Sequence, residues 1–349
     1  MQSPWEYPDF DDHEVVHFVT DAQSGLKAII AVHSTHLGPG AGGVRFWNYG
    51  QASDALSDAL RLSRGMSFKN AMAGLALGGG KAVILADAKR TKTPEMLAAY
   101  GRAVERLCGA YVTAEDVGVS VADLVAVSEQ TKYVSGLPVA AGAVGGDPGP
   151  HTSYGVFLGV KAAVRRKLGK DSLDGLHIAI QGAGSVAGGL ARLAAEEGAR
   201  ITVADIDQAR AHKLAEAVGG TTVSPGAILA LAADVLSPCA LGAILTEQSI
   251  AALRVPIVAG GANNQLATPA DGDRIHGRGI LYAPDYVINA GGIINVASEY
   301  LRDADPAGVK AKIEQIPSRL DMIWDESDAS GRNPAAVADD MARRLIGRG

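Results

Sequence analysis

HIAIQGAGSVAGGLARLAAEEGARITVAD, residues 177–205, decides the fold. HIAIQ (177–181) is a short apolar strand, and Gly182-Ala183-Gly184-Ser185-Val186-Ala187 makes a glycine turn. Val186, Leu190 and Leu193 then share one face of a helix ending at Gly198, and ITVAD (201–205) is a second strand. Strand, turn, helix and strand with glycines spaced G-x-G-x-x-A form the βαβ unit of a dinucleotide-binding fold. The glycines let backbone N–H groups meet a pyrophosphate at the helix N-terminus, where the dipole favours negative charge. Asp205 stands 23 positions after Gly182, near the spacing of the acid that holds a ribose 2′-OH. A carboxylate there repels a 2′-phosphate, so NAD is expected over NADP; a plain strand-end cap is the competing reading.

Outward from this unit, strand-like runs at Asp234–Leu236, Ile257–Ala259 and Ile280–Tyr282 extend a parallel sheet with helices between. From Ala297 the chain is helical: Ile313, Ile316, Leu320, Ile323 and Trp324 form one stripe across a break at Pro317. Asn333-Pro334 then caps a last helix carrying Val337, Met341 and Leu345. Upstream, AAGAVGGDPGP (140–150) has the richest turn composition and marks an interdomain crossing, after which a helix begins near Thr152. With 349 residues, two domains are the default. The expected architecture is α/β: residues 1–145, rejoined by C-terminal helices at about 328–349, and a Rossmann-type domain over 146–327.

In the first domain, EVVHFV (14–19) and LKAIIAV (27–33) flank a turn and read as a hairpin. HLGPGAGGVRFW (36–47) permits a small ligand to lie against bare peptide groups, or forms a tight structural turn. Ser53 caps a helix with Ala55, Leu56, Ala59, Leu60 and Met66, and Thr93-Pro94 starts another with Leu97, Tyr100, Val104 and Leu107 on one face. The strand in YVTAEDVGVS (111–120) stops at Glu115 and Asp116; Ser120 caps the next helix, which frees Asp116 for a cleft.

RGMSFKNAMAGLALGGGKAVI (64–84) is unusual for its two lysines, Lys69 and Lys81, flanking a small, apolar run that ends in Gly78-Gly79-Gly80. A poorly hydrated lysine loses stabilisation of its charged form and moves toward a pKa at which it exchanges protons. Two snorkelling lysines at a strand-entry turn fit the same residues. Net charge is −6 and no Lys/Arg block stands out, which argues against nucleic acid or membrane as partner and for a small ligand. Cys108 and Cys239 lack disulfide or metal-ligand spacing, so no metal is expected. The acidic N-terminus carries no targeting pattern, and a cytoplasmic location is expected.

GPGAGGVR (38–45), RGMSFKNAMAGLALGGGK (64–81), AEDVG (114–118), GDPGPHTSYG (146–155), QGAGSVA (181–187), PCALGA (238–243), GGANNQL (260–266) and DYVINAGGIINV (285–296) together resemble the glutamate/leucine/phenylalanine/valine dehydrogenase family. The resemblance implies NAD(P)-dependent oxidative deamination of an L-amino acid to a 2-oxo acid and ammonia, in a homo-oligomer of even subunit number. It makes Lys81 and Asp116 the catalytic pair, and Lys69 the ligand of the substrate α-carboxylate. Gly42 and Gly43 become the backbone wall beside the substrate, while Ala41, Ala114, Ile293 and Val296 line the side-chain pocket. On the cofactor side it assigns Thr152, Gly182, Gly184, Ser185, Val186, Asp205, Ile206, Cys239, Ala240 and Asn263. Glutamate-specific members carry a lysine where this chain has Ala41 and a small hydroxyl residue where it has Val296, so an apolar substrate of the leucine, phenylalanine or valine type is implied. Two other readings are a catalytically altered NAD-binding protein, which would lose Lys81 or Asp116, and an NAD-dependent 2-hydroxy-acid dehydrogenase, which needs a histidine base. His151 is the only histidine in a motif suited to that role.

Overall fold

The computed structural model describes residues 4–87, 91–140 and 143–349; residues 1–3 of the N-terminal stretch and 141–142 of the 140–150 run lie outside them. The chain divides into two compact units, Met1–Gly146 with Val296–Pro306 and Ala342–Gly349, and Asp147–Asn295 with Ala307–Met341.

The first unit runs β1 (Val15–Asp21), β2 (Leu26–Ser34), β3 (Gly40–Trp47), α1 (Ala52–Met72), β4 (Gly78–Leu85), α2 (Pro94–Glu105), β5 (Tyr111–Glu115) and α3 (Val121–Ser128). The hairpin is present: β1 pairs antiparallel with β2, and the Asp21 carboxylate accepts from Ser24 N at 2.9 Å in the turn. The sheet order is β1-β2-β4-β3-β5, with β3 parallel to both β4 and β5. Because strand side chains alternate, β2 and β4 bury two faces. Ile30, Ala82 and Ile84 pack with Leu97, Tyr100, Val104 and Leu124 under α2 and α3. Ile29, Ala31 and Val83 pack with Ala55, Ala59 and Leu60 of α1. Lys81 and Gly79 have the parity of Val83, which places them on the α1 face.

Two of the expected caps form: Thr93 Oγ1 accepts from Met96 N at 3.2 Å and Ser120 Oγ from Asp123 N at 3.3 Å. The cap expected at Ser53 does not. Asp54 accepts the backbone N–H of Gln51 at 3.2 Å, which makes Gln51 the cap and leaves Ser53 inside the first turn.

The second unit opens with α4 (Gly149–Leu168), β6 (His177–Gln181), α5 (Ser185–Glu196), β7 (Arg200–Ala204), α6 (Gln208–Ala217) and β8 (Thr221–Thr222). It continues through β9 (Val235–Pro238), α7 (Glu247–Ala252), β10 (Ile257–Val258), α8 (Pro269–Gly277), β11 (Leu281–Tyr282) and α9 (Asp285–Ile288). The last helices are α10 (Gly291–Leu301), α11 (Pro306–Ile313), α12 (Ile316–Ser330) and α13 (Pro334–Leu345), and the division between units falls within α10 and α13. All pairings in the six-stranded sheet are parallel, in the order β11-β10-β9-β6-β7-β8. This is the doubly wound Rossmann order, with its switch point between β6 and β9.

The stripe from Ile313 to Trp324 is buried, and the indole Nε1 of Trp324 donates to Tyr282 O at 2.9 Å. The helix break falls at 314–315, just before Pro317, which sits in the first turn of α12 where its missing N–H costs nothing. Asn333 Oδ1 caps α13 through Ala336 N at 2.9 Å. Leu345 departs from the expected stripe: it is 49 % exposed, while Val337, Ala338, Ala342 and Ile346 are buried. Among the described residues no helix is long and apolar enough to cross a membrane.

Candidate active site

The glycine run before Lys81 exists because β4 is pressed against α1 on one face and against the Tyr111 ring on the other. A Cβ on Gly79 would lie 2.1 Å from Ser67 N in α1, and one on Gly80 would lie 2.5 Å from the Tyr111 ring. Lys81 emerges from this contact only 7 % exposed, with Nζ 2.6 Å from Asp116 Oδ2. Gly43 makes room for that carboxylate, since a Cβ there would meet Glu115 O at 2.4 Å and Asp116 Cβ at 2.8 Å. Tyr111 donates its hydroxyl to Gly42 O at 2.7 Å and fixes the adjoining peptide. Ala41 is buried, Ala114 is half-buried opposite Gly43, and Lys69 is half-buried on the last turn of α1.

Burial pushes the Lys81 ammonium below the usual lysine range, against the opposing pull of Asp116. Burial alone would raise Asp116, but the Lys81 ammonium, their hydrogen bond and Arg45 outweigh it and hold the carboxyl below its ordinary value. Asp116 is therefore the ionised member, and Lys81 releases its proton more readily than a free lysine.

Sequence reading missed the rest of this network. Arg45 Nε donates to the same Asp116 Oδ2 at 3.2 Å, and its Nη1 donates to Asp58 Oδ2 at 2.7 Å. Tyr49 donates its hydroxyl to Asp58 Oδ2 at 2.8 Å. The available signal was parity: Arg45 on β3 points to the α1 face, where Asp58 stands.

In the second unit the assigned positions gather at the carboxyl ends of the parallel strands. Gly182 has φ +108° and lies beneath Cys239 and Ala240, with the Ala240 Cβ 3.1 Å from where its own Cβ would be. Gly184 caps α5 with no side-chain partner, so the helix's first N–H groups, from Ser185 and Val186 onward, face outward. Ala187, at the third position of the motif, is fully buried between helix and sheet. Asp205 accepts Ala183 N at 2.7 Å and Asp207 N at 2.8 Å, which ties the second strand end to the glycine turn, and Ile206 is 86 % exposed beside it. Cys239 Sγ accepts from Gly261 N at 3.4 Å, and burial pushes its thiol up.

Asn289 Nδ2 donates to Asn263 Oδ1 at 2.8 Å and so sets the Asn263 carboxamide, whereas Asn264 adopts φ +52°. Thr152 Oγ1 donates to Pro148 O at 2.9 Å, and a Cβ on Gly292 would sit 2.4 Å from it. Ile293 and Val296 are both half-buried on α10, Ile293 in the second unit and Val296 in the first. An uncapped helix N-terminus, a glycine turn without side chains and an acid at the next strand end form a cradle that fits a dinucleotide.

Comparison with known proteins agrees with this chemistry. The family profile described as Glu/Leu/Phe/Val dehydrogenase, dimerisation domain, matches residues 13–133, and that of Glutamate/Leucine/Phenylalanine/Valine dehydrogenase matches 202–329. The leucine dehydrogenase of Geobacillus stearothermophilus is 46 % identical over 342 residues, covering 98 % of this chain and 93 % of that protein. The valine dehydrogenase of Streptomyces albus is 42 % identical over 343 residues, covering 97 % and 94 %. The crystal structure of L-tryptophan dehydrogenase from Nostoc punctiforme superposes with a TM-score of 0.85 at 40 % identity, covering 96 % of each chain. With a buried lysine–aspartate pair in one unit, a Rossmann sheet in the other and relatives of this identity along nearly its whole length, the chain belongs to the glutamate/leucine/phenylalanine/valine dehydrogenase family and is an amino acid dehydrogenase.

Proposed function

We propose that this dehydrogenase of apolar amino acids runs the NAD-dependent, reversible oxidative deamination of a large apolar L-amino acid, with Lys81 as general base and Asp116 as its proton partner. The observation that carries the reading is the 2.6 Å contact between Nζ of the buried Lys81 and Oδ2 of the half-buried Asp116. A lysine with depressed pKa beside an ionised carboxylate takes a proton at Nζ near neutral to alkaline pH. When bound, the dinucleotide supplies the hydride acceptor for the substrate Cα. Lys69 holds the substrate α-carboxylate, and the peptides of Gly42 and Gly43 line the substrate. Once Cα is an iminium carbon, Lys81 deprotonates the attacking water and Asp116 moves protons between Lys81 and the departing amine.

Gly182, Gly184, Ser185 and Val186 hold the pyrophosphate, and Asp205 with Ile206 takes the adenosine ribose. Cys239 and Ala240 floor the cofactor site, while Thr152 and Asn263 contact the nicotinamide end. The positions assigned to the substrate side chain, Ala41, Ala114, Ile293 and Val296, are all apolar. The first unit serves substrate binding and assembly into a homo-oligomer of even subunit number, a role supported by the dimerisation-domain profile; it is rejoined by Val296–Pro306 and Ala342–Gly349 and not by the whole of 328–349. The second unit serves the cofactor. The test is NADH appearance at alkaline pH across the common L-amino acids: leucine and phenylalanine turn over and glutamate does not. Glutamate as the best substrate overturns the pocket assignment.

A further inference from the structure

We propose that Arg45, anchored by Asp58 and Tyr49, is a positioning residue that keeps Asp116 anionic and sets the proton affinity of Lys81. The inference rests on Lys81 as the general base. Charges of alternating sign run from Asp58 through Arg45 and Asp116 to Lys81, with contacts of 2.7, 3.2 and 2.6 Å. Arg45 spends Nε on Asp116 and Nη1 on Asp58, a two-carboxylate bridge that the guanidinium fork permits and a lysine cannot reproduce.

The need for a second cation follows from the chemistry. When Lys81 is neutral and ready to accept a proton, Asp116 has lost its closest positive partner. A half-buried carboxylate without a cation beside it takes up a proton more readily, and the pair then titrates as one group with the base and its shuttle competing. Arg45 stays charged at every working pH, so Asp116 remains ionised through the cycle while the ammonium form of Lys81 is disfavoured. Asp58 works in the opposite sense on Lys81, because it offsets part of the guanidinium charge. The charged and titratable groups acting on the pair are Arg45 from β3, Asp58 from α1 and Tyr111 from β5, with Tyr49, from the loop after β3, holding Asp58.

The two partners of one ion pair should therefore move the same titration in opposite directions. In Arg45→Met the acid limb of the kcat/KM profile for deamination shifts upward by about half a unit to one unit. In Asp58→Asn it shifts downward by about the same amount, and Arg45→Lys keeps the limb near its wild-type position while lowering kcat. Competitive acetylation of Lys81, followed across pH by mass spectrometry, reads the same shifts without turnover. Loss of a merely structural salt bridge would lower activity in both variants without moving the limbs apart. Limbs that stay in place, or move the same way, overturn the role of Arg45. Lys81→Ala is assayed beside them, since a variant that keeps its activity removes the general base itself and not Arg45's part in tuning it.

Discussion

Gly79→Ala tests how closely the site depends on the α1–β4 contact. The added Cβ would stand 2.1 Å from Ser67 N, 2.2 Å from Ser67 Oγ and 2.4 Å from Ser63 O, against about 3.4 Å for an ordinary contact. Two of these atoms are helix backbone and cannot rotate away, so α1 must retreat from β4 by more than ~1 Å. Lys69 lies two residues beyond Ser67 on α1, and Lys81 two residues beyond Gly79 on β4, so the retreat changes the spacing of both. A misplacement of about 1 Å costs on the order of a hundredfold in turnover, and overpacking of this kind costs about 1 to 3 kcal/mol of stability. The expected outcome is a kcat/KM for the amino acid lower by about a hundredfold, with NADH binding, read by fluorescence titration, within about twofold of wild type. Gly65→Ala on the same helix is the control. Its Cβ meets nothing within 4 Å, so it should stabilise the protein by about 0.5 to 1 kcal/mol and leave kinetics alone. A folded Gly79→Ala with wild-type kcat/KM would refute the claim that this contact sets the lysine geometry.

Lys81→Ala should lower kcat by more than about tenfold while NADH still binds, and retention of kcat would exclude Lys81 as the base. The wild-type enzyme should prefer NAD over NADP by more than about tenfold in kcat/KM because Asp205 places a carboxylate at the second strand end; equal values would remove Asp205 from the ribose site. Ala41→Leu should move preference toward smaller aliphatic substrates by shrinking the pocket, and an unchanged order among leucine, valine and phenylalanine would place Ala41 elsewhere. His33 is held neutral at a pKa of about 3 by burial and by Arg348, so only the unfolded chain takes up its proton between about pH 6.5 and 3, and stability complete above that window drops by about 2 kcal/mol at pH 5. His33→Gln should flatten this part of a series of thermal melts, and an unchanged slope would assign the acid sensitivity to other groups.

The Rossmann sheet was legible because its signals are local. A glycine at φ +108°, strands that read as unbroken apolar runs and a helix stripe of ordinary spacing all lie within one 29-residue window. Lys81 stood out for a similar reason, since three glycines precede it directly, although a snorkelling lysine at a strand-entry turn fitted the same residues. Ser53 misled because several residues near a helix start can cap it, and the choice fell to the carboxylate three positions after Gln51. Leu345 misled because the stripe of α13 is centred on Ala338 and Ala342, whose small size gives periodicity arguments little to weigh.

For Arg45 strand parity could indicate a face but not the partners, which lie 13 and 71 positions away. Their meeting depends on the parallel pairing of β3 with β4 and β5, which alternation within one strand does not specify. The same holds for His33, whose neighbours Ser67 and Arg348 come from α1 and the chain's last residues. Arg348 donates to His33 Nε2 at 2.8 Å, so the proton sits on Nδ1, and the 3.3 Å approach of Asp11 is no ion pair at neutral pH. Both clusters border α1, one beside Asp58 and the other beside Ser67. The helix that supplies Lys69 is thus held at two polar points as well as by its apolar face, and a glycine contact with β4 sets its depth. Displacement of α1 must disturb the charge chain, the buried histidine and the lysine spacing together, which is why a single methyl group at Gly79 is expected to reach the chemistry.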